Sequence, residues 1–192
     1  MKDPKTSCSE DPDGVPGCSV EVFLGLGSNV GRRLAQIDEA VERLRGLLQR
    51  IRVSSVYETE PMYVVDQPRF LNVVVSGWTR LDALQLLDCI AAIEAGAGRQ
   101  RLPGERYGPR PLDIDILLYG RRIIDTPRLR VPHPRLLERE FVLRPLIELA
   151  PGMRDPRSDV ALVDALAVLP SQGVYCYRAN PYNRGRSGEQ HT

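Results

Sequence analysis

Apolar residues recur along this chain with two different periods, and the switches between them lay out its elements. Residues 20–26 form a short apolar run ending in Gly-Ser-Asn, which predicts a strand. From Gly31 to Gln49, Leu34, Ile37, Val41, Leu44 and Leu48 recur at helical spacing, with Asn29 just ahead as a candidate cap. Residues 51–57 alternate as a second strand and 70–78 read as a third; 60–68 between them is a loop closed by Asp-Gln-Pro. Residues 81–97 predict a second amphipathic helix, ended by Gly96-Ala-Gly98. A loop over 100–111 leads into a fourth strand at 112–119. Further on come a short strand around 129–131, a helix starting near Pro134, and helical stretches over 141–149 and 160–169. The order strand–helix–strand–strand–helix–strand is the ferredoxin-like arrangement, an α+β class. In it helices cover one face of an antiparallel sheet and leave the other face or an edge for ligands.

The ends change this picture little. Residues 1–18, rich in Pro, Gly, Ser and acidic residues, are expected to be a disordered leader. Residues 19–170 form a single domain, as a 192-residue chain suggests, and 171–192 a loose polar tail. A hydrophobic content of 42% and a charged content of 27% describe an ordinary globular protein. The net charge of +1 gives no whole-protein argument for nucleic acid or an acidic membrane. No apolar run approaches transmembrane length, and no hydrophobic signal segment opens the chain. The four cysteines show no CxxC pair and no metal-ligand spacing. A monomer in a reducing cytoplasm is expected.

Composition does exclude some chemistry. Of 26 basic residues, only Lys2 and Lys5 in the leader are lysine. A P-loop lysine, a kinase strand lysine and a Schiff-base lysine are therefore all absent from the folded part. Phosphate chemistry here must rely on arginine, backbone N–H groups and metal. The block Arg106-Tyr-Gly-Pro-Arg110-Pro-Leu-Asp113-Ile-Asp115-Ile-Leu-Leu-Tyr119-Gly120 meets that requirement. Side chains at i and i+2 of a strand share a face, so Asp113 and Asp115 project together. Packing a core requires no such pair. A hard divalent cation shared with phosphate oxygens explains it, and the neighbouring arginines suit the phosphates.

Five segments in this order resemble one family. They are Leu24-Gly-Leu-Gly-Ser-Asn-Val-Gly31, Ser54-Ser-Val-Tyr-Glu-Thr-Glu-Pro61, Asp66-Gln-Pro-Arg-Phe-Leu-Asn72, the Arg106 to Gly120 block, and Val131-Pro-His-Pro with Glu138-Arg-Glu-Phe-Val-Leu-Arg-Pro-Leu146. The chain resembles the 6-hydroxymethyl-7,8-dihydropterin pyrophosphokinases of folate synthesis, over about residues 20–151. The resemblance implies a three-layer α/β/α fold and transfer of pyrophosphate from ATP to a pterin hydroxymethyl group, with release of AMP. It implies two Mg²⁺ ions on Asp113 and Asp115. It implies a pterin slot of Thr59, Met62, Phe70, Asn72, Tyr107 and Phe141. ATP would be held by Glu94, Arg99, Arg101, Arg110, Ile116, Arg128, His133 and Arg139, with Arg99, Arg101, Arg110 and the two aspartates catalytic. No nucleic-acid or membrane partner is implied.

Each site has a structural alternative. Asp113 and Asp115 could be solvated carboxylates on an edge strand, but the flanking Ile and Leu read as a central strand, where unpaired charge is costly. Arg99, Arg101, Arg106 and Arg110 could be a solvated basic loop, and Phe70 and Phe141 core residues. Asn72 could bond its own backbone, although its amide suits the mixed edge of a pterin. His133, between two prolines, could be a turn residue or a donor to phosphate; no general base is required for a loose transition state. Gly25-Leu-Gly27 lacks the third glycine of a dinucleotide fingerprint and reads as a tight strand-to-helix turn. Departures from the family are Tyr107 for a common Trp, Phe70 for a frequent Tyr, Ala91 for a glutamine, and one extra residue in Leu102-Pro-Gly-Glu105. The rivals are a polymerase-like or cyclase-like palm, which needs a further metal carboxylate, and an RNA-binding module, which needs a basic, aromatic sheet face.

Overall fold

The computed structural model describes residues 19–61, 67–98 and 110–179. Leu24 and Leu26, alternating with glycine, build the first strand, β1 (Val20–Ser28). Helix α1 (Arg33–Leu44) turns Ile37, Ala40, Val41 and Leu44 inward. It ends before the expected 49, because Gln49 already opens β2 (Gln49–Val53). β3 (Val56–Thr59), β4 (Phe70–Thr79), α2 (Ala83–Gly96) and β5 (Asp113–Tyr119) follow. Asp82 and Gln85 form a reciprocal capping box at the start of α2. Short strands β6 (Ile124–Asp125) and β7 (Arg130–Val131) pair with each other. A 3₁₀ turn (Leu136–Glu138) then leads to α3 (Glu140–Leu149), α4 (Leu162–Val168) and β8 (Val174–Arg178).

The sheet is antiparallel at every pairing and runs β5–β1–β4–β3–β8, with β2 also on β4. It lies between two helical layers. On one face Val22, Leu24, Leu26, Leu71, Val73, Val75, Ile114 and Ile116 pack with residues of α1 and α2. On the other, Phe23, Val74, Leu117 and Leu118 pack with Val142, Leu143 and Leu146 of α3 and Leu162 and Ala165 of α4. The α+β class and the three layers are as expected. The second face, however, is partly covered rather than left free.

Five local expectations need correction. The single strand at 51–57 is two strands, broken at Ser54. The Ser54 hydroxyl accepts the Val74 N–H at 2.9 Å, replacing a backbone ladder bond, and Ser55 N–H turns away to the Glu148 carboxylate at 3.0 Å. Asn29 caps no helix: α1 starts after Arg32, which makes no side-chain cap. Gly25 and Gly27 are not a turn but sit inside β1, opposite Val74 and Asn72 of β4 and Asp115 and Asp113 of β5. β5 is an edge strand, bounded on one side only by β1, so its apolar flanks report cover on both faces rather than a central place. Its register with β1 shifts at Leu117, a bulge that sends Leu117 and Leu118 to the same core. Finally, the tail expected to be loose from Ser171 supplies β8, held by backbone pairing to β3 although its side chains are mostly exposed.

Candidate active site

The second sheet face is apolar where α3 and α4 cover it and polar beyond them. Opposite residues of paired antiparallel strands share a face. One row across the sheet therefore reads Asp113, Gly27, Asn72, Tyr57, and the next begins Asp115, Gly25, Val74. The two aspartates face this side while Ile114 and Ile116 between and beyond them point into the opposite core. A Cβ on Gly27 would come within 3.1 Å of Asn72 Oδ1. Glycine there keeps an open trough between the acidic strand and the asparagine.

On the acidic side, Asp113 is one-quarter exposed and accepts a hydrogen bond from Arg110 Nη1 at 2.6 Å. Asp115 is more open, 44% exposed, with His133 Nε2 and Arg139 Nη1 each 3.9 Å from its Oδ2. Arg139 Nε is buried without a hydrogen-bond partner, and the guanidinium lies 5.5 Å over the Phe141 ring. A half-buried guanidinium with an unpartnered Nε suits a polyanionic ligand. His133 accepts the Arg135 N–H at Nδ1, 3.1 Å, which leaves its proton on Nε2 facing Asp115. Burial first, then the charges of Arg139 and Arg135, lowers its pKa to about 4 against the opposing effect of Asp113. At neutral pH this imidazole is an uncharged donor and a poor base.

On the other side, Asn72 donates to Thr59 Oγ1 at 2.8 Å, and both are buried. Phe70 lies two residues before Asn72 on the same face of β4, half-buried. Glu94 is buried, and its carboxylate accepts the Ile114 N–H at 2.8 Å, capping the outer edge of β5 from α2. Ile116 is buried in the core below, its side chain turned away from the aspartates. Arg128 pairs with Asp88 on the surface of α2. Met62, Arg99, Arg101 and Tyr107 lie outside the described residues. The fold thus brings Asp113, Asp115, Arg110, His133 and Arg139 together, and Thr59, Asn72 and Phe70 beside them.

One residue escaped the sequence reading. Asn29, buried at the end of β1, accepts the Arg110 N–H at its Oδ1, 2.8 Å, and its own N–H donates to the Arg110 carbonyl at 3.2 Å. Its Nδ2 donates to Gln67 Oε1 at 3.2 Å and to the Pro68 carbonyl at 3.4 Å. It fastens the approach to Asp113 to the approach to Phe70 and Asn72. Taking it for a helix cap hid this role, and nothing local in the sequence marks its partners at Arg110, Gln67 and Pro68.

Two carboxylates on one strand face, opposite glycines and beside arginine, fit a hard cation that shares phosphate oxygens. Among the described residues no cluster of three acidic, His or Cys side chains forms a closed metal cage. The molecule is therefore of a definite class: a three-layer α+β protein with paired carboxylates and arginines on one sheet face. Residues 23–151 match the family described as 7,8-dihydro-6-hydroxymethylpterin-pyrophosphokinase (HPPK), and the chain belongs to that family. A 2-amino-4-hydroxy-6-hydroxymethyldihydropteridine pyrophosphokinase of Pseudomonas aeruginosa is 43% identical over 80% of this chain and 94% of its own. The mitochondrial folate synthesis bifunctional protein of Arabidopsis thaliana is 46% identical over 81% of this chain; the match spans only 27% of that protein. The wild-type HPPK-DHPS of Plasmodium falciparum, solved with pteroate, superposes with a TM-score of 0.61 at 17% identity, over 78% of this chain and 42% of its own, and shares the fold.

Proposed function

We propose that this chain transfers pyrophosphate from ATP to the hydroxymethyl group of 6-hydroxymethyl-7,8-dihydropterin, releasing AMP, as a step of folate synthesis. The observation that carries the reading is the row Asp113, Gly27, Asn72: phosphate chemistry and heterocycle recognition share one face across a glycine trough. Family membership and the Pseudomonas aeruginosa relative, matched over nearly its whole length, support it.

In this reading Asp113 and Asp115 hold Mg²⁺, two ions being expected. Magnesium bound there supplies charge neutralisation to the phosphate oxygens. Arg110 and Arg139 hold phosphate oxygens, and neutral His133 donates to one from Nε2. The Asn72 amide, oriented by Thr59, reads donor and acceptor groups on the pterin edge, and Phe70 and Phe141 stack on the ring. Held in line, the hydroxymethyl oxygen attacks the β-phosphorus. The bond from that phosphorus to the α,β-bridging oxygen breaks, AMP leaves with the oxygen, and the hydroxyl proton is released. Positioning and charge stabilisation carry the step, so no side chain need act as a base. By the family resemblance, Met62 and Tyr107 would add to the pterin slot, Arg99 and Arg101 to the phosphate shell, and Glu94, Ile116 and Arg128 to the ATP side. In this reading the enzyme works as a cytoplasmic monomer.

Calorimetry tests this reading. Titrating the pterin into the chain with Mg²⁺ and a non-hydrolysable ATP analogue should give saturable binding that disappears without nucleotide. Binding of single-stranded RNA, with no response to pterin, would replace it with the RNA-module reading.

A further inference from the structure

The segment that follows α4 lies beyond the residues matched to the family, yet it is tied to the site at two points. The first is a clamp. Glu140, the first residue of α3, is 3% exposed, and its Oε2 accepts the Gln172 N–H at 2.5 Å. Gln172 returns two bonds: its Oε1 accepts the Glu140 N–H at 2.9 Å, and its Nε2 donates to the Glu138 carbonyl at 2.9 Å. Arg144 balances the buried carboxylate at 2.6 Å. Glu140 stands between Arg139 and Phe141, so the clamp closes at the residues that border Asp115 and the ring stack.

The second is a strand pairing. Gly173, at φ +67°, turns the chain beside Glu60, and β8 then lies along β3 with Val174 opposite Thr59, Tyr175 opposite Glu58 and Cys176 opposite Tyr57. Thr59 therefore has a strand on each side, with Phe70 of β4 opposite it on the inner one. Without β8, the four residues of β3 would form the edge of the sheet, and its end would be the part most able to fray. Thr59 is the residue that orients Asn72.

Accepting the pyrophosphokinase reading, we propose that Gln172 to Arg178 is a strap that positions the pterin half of the site, with Gln172 as its positioning residue. It touches neither substrate. It acts by keeping Thr59, and through it the Asn72 amide, in the orientation the pterin edge requires, so binding does not first have to order the strand. Asp113 and Asp115, on β5 at the opposite edge of the sheet, are reached by the strap only through Arg139, next to the clamp, whereas Thr59 is paired with it directly.

Three variants of the full chain test this: Gln172→Ala, a stop after Pro170 that removes the strap, and a stop after Arg178 that keeps it. Dissociation constants for the pterin (with Mg²⁺ and ATP analogue) and for Mg-nucleotide alone are measured, together with hydrogen exchange of the β3 amides. Gln172→Ala should weaken pterin binding about fivefold or more, in proportion to the fraction of ordered strand lost. Nucleotide affinity should fall clearly less than pterin affinity, and the Tyr57 to Thr59 amides should exchange faster. The stop after Pro170 should do the same more strongly, and the stop after Arg178 should do nothing. Unchanged pterin affinity in Gln172→Ala with faster β3 exchange overturns the strap; so does an equal loss of nucleotide affinity. A parent chain that binds no pterin overturns the functional reading itself, and the strap with it.

Discussion

Two halves of one sheet face, built by the same three strands, do opposite things. Toward α3 and α4 the face carries Phe23 on β1, Val74 on β4, and Leu117 and Leu118 on β5, all buried. A few residues along the same strands it carries Gly25 and Gly27, Asn72, and Asp113 and Asp115. The opposite face shows no such division; its core is apolar from β1 to β5. The backbone pairs without interruption across the polar half, so the departure from apolar alternation there does not serve the fold. Strand geometry supplies rigidity, and side-chain choice on one half of one face supplies chemistry.

That contrast can be broken by substitution. The largest effect should come from Asp115→Ala: turnover falls by roughly two to three orders of magnitude, while the melting temperature stays within a degree or two of the parent. A variant that unfolds early would place Asp115 in the structural half. Next is Phe23→Ala, which should cost about 3–5 kcal/mol of stability by leaving a cavity, read from urea unfolding. The fraction that remains folded should still bind Mg-nucleotide; loss of binding in folded protein would erase the division. Asn29→Ala should be smaller, about 1–3 kcal/mol, because it strands the Arg110 N–H. It should also weaken both substrates together, since the residue fastens both approaches. A loss confined to one substrate would sharpen the comparison in favour of independent halves.

The smallest is a pH effect beside the site. Burial, then the Glu148 carboxylate 3.2 Å from its hydroxyl, raises the Tyr57 pKa from 10.0 to about 12. Because the folded value is the higher one, the stabilisation is complete below pH 10 and fades as pH rises from 10 toward 12. Comparing urea midpoints of the parent and Tyr57→Phe across that window should show the parent losing more. Parallel curves would mean that the phenol is as free to ionise in the folded chain as in the unfolded one.

What the sequence disclosed follows the same division. Asp113 and Asp115 were legible because strand periodicity alone puts i and i+2 on one face, and an acidic pair in an apolar run has no packing use. The strand that carries Phe70 and Asn72 was legible from its apolar run, whereas their assignment to a pterin slot came from the family resemblance. The glycines were misread because Gly-Leu-Gly is as good a turn as it is a strand with one bare face; only pairing with Asn72 and Asp113 distinguishes the two. The edge position of β5 was hidden because α2 and β1 bury it as thoroughly as a neighbouring strand would, Glu94 satisfying its outward Ile114 N–H. Asn29 and Gln172 act through hydrogen bonds to residues 81 and 32 positions away, and no local pattern encodes such partners. β8 was missed because an edge strand held by its backbone needs no alternation of side chains.

The central claim, that the acidic and asparagine halves of this trough serve one transfer, is tested most directly by following AMP release from Mg-ATP with and without 6-hydroxymethyl-7,8-dihydropterin. The account predicts AMP, and no ADP, formed only when the pterin is present and in equal amount to the pyrophosphorylated pterin. ADP as the product, or AMP released at the same rate without pterin, would contradict it.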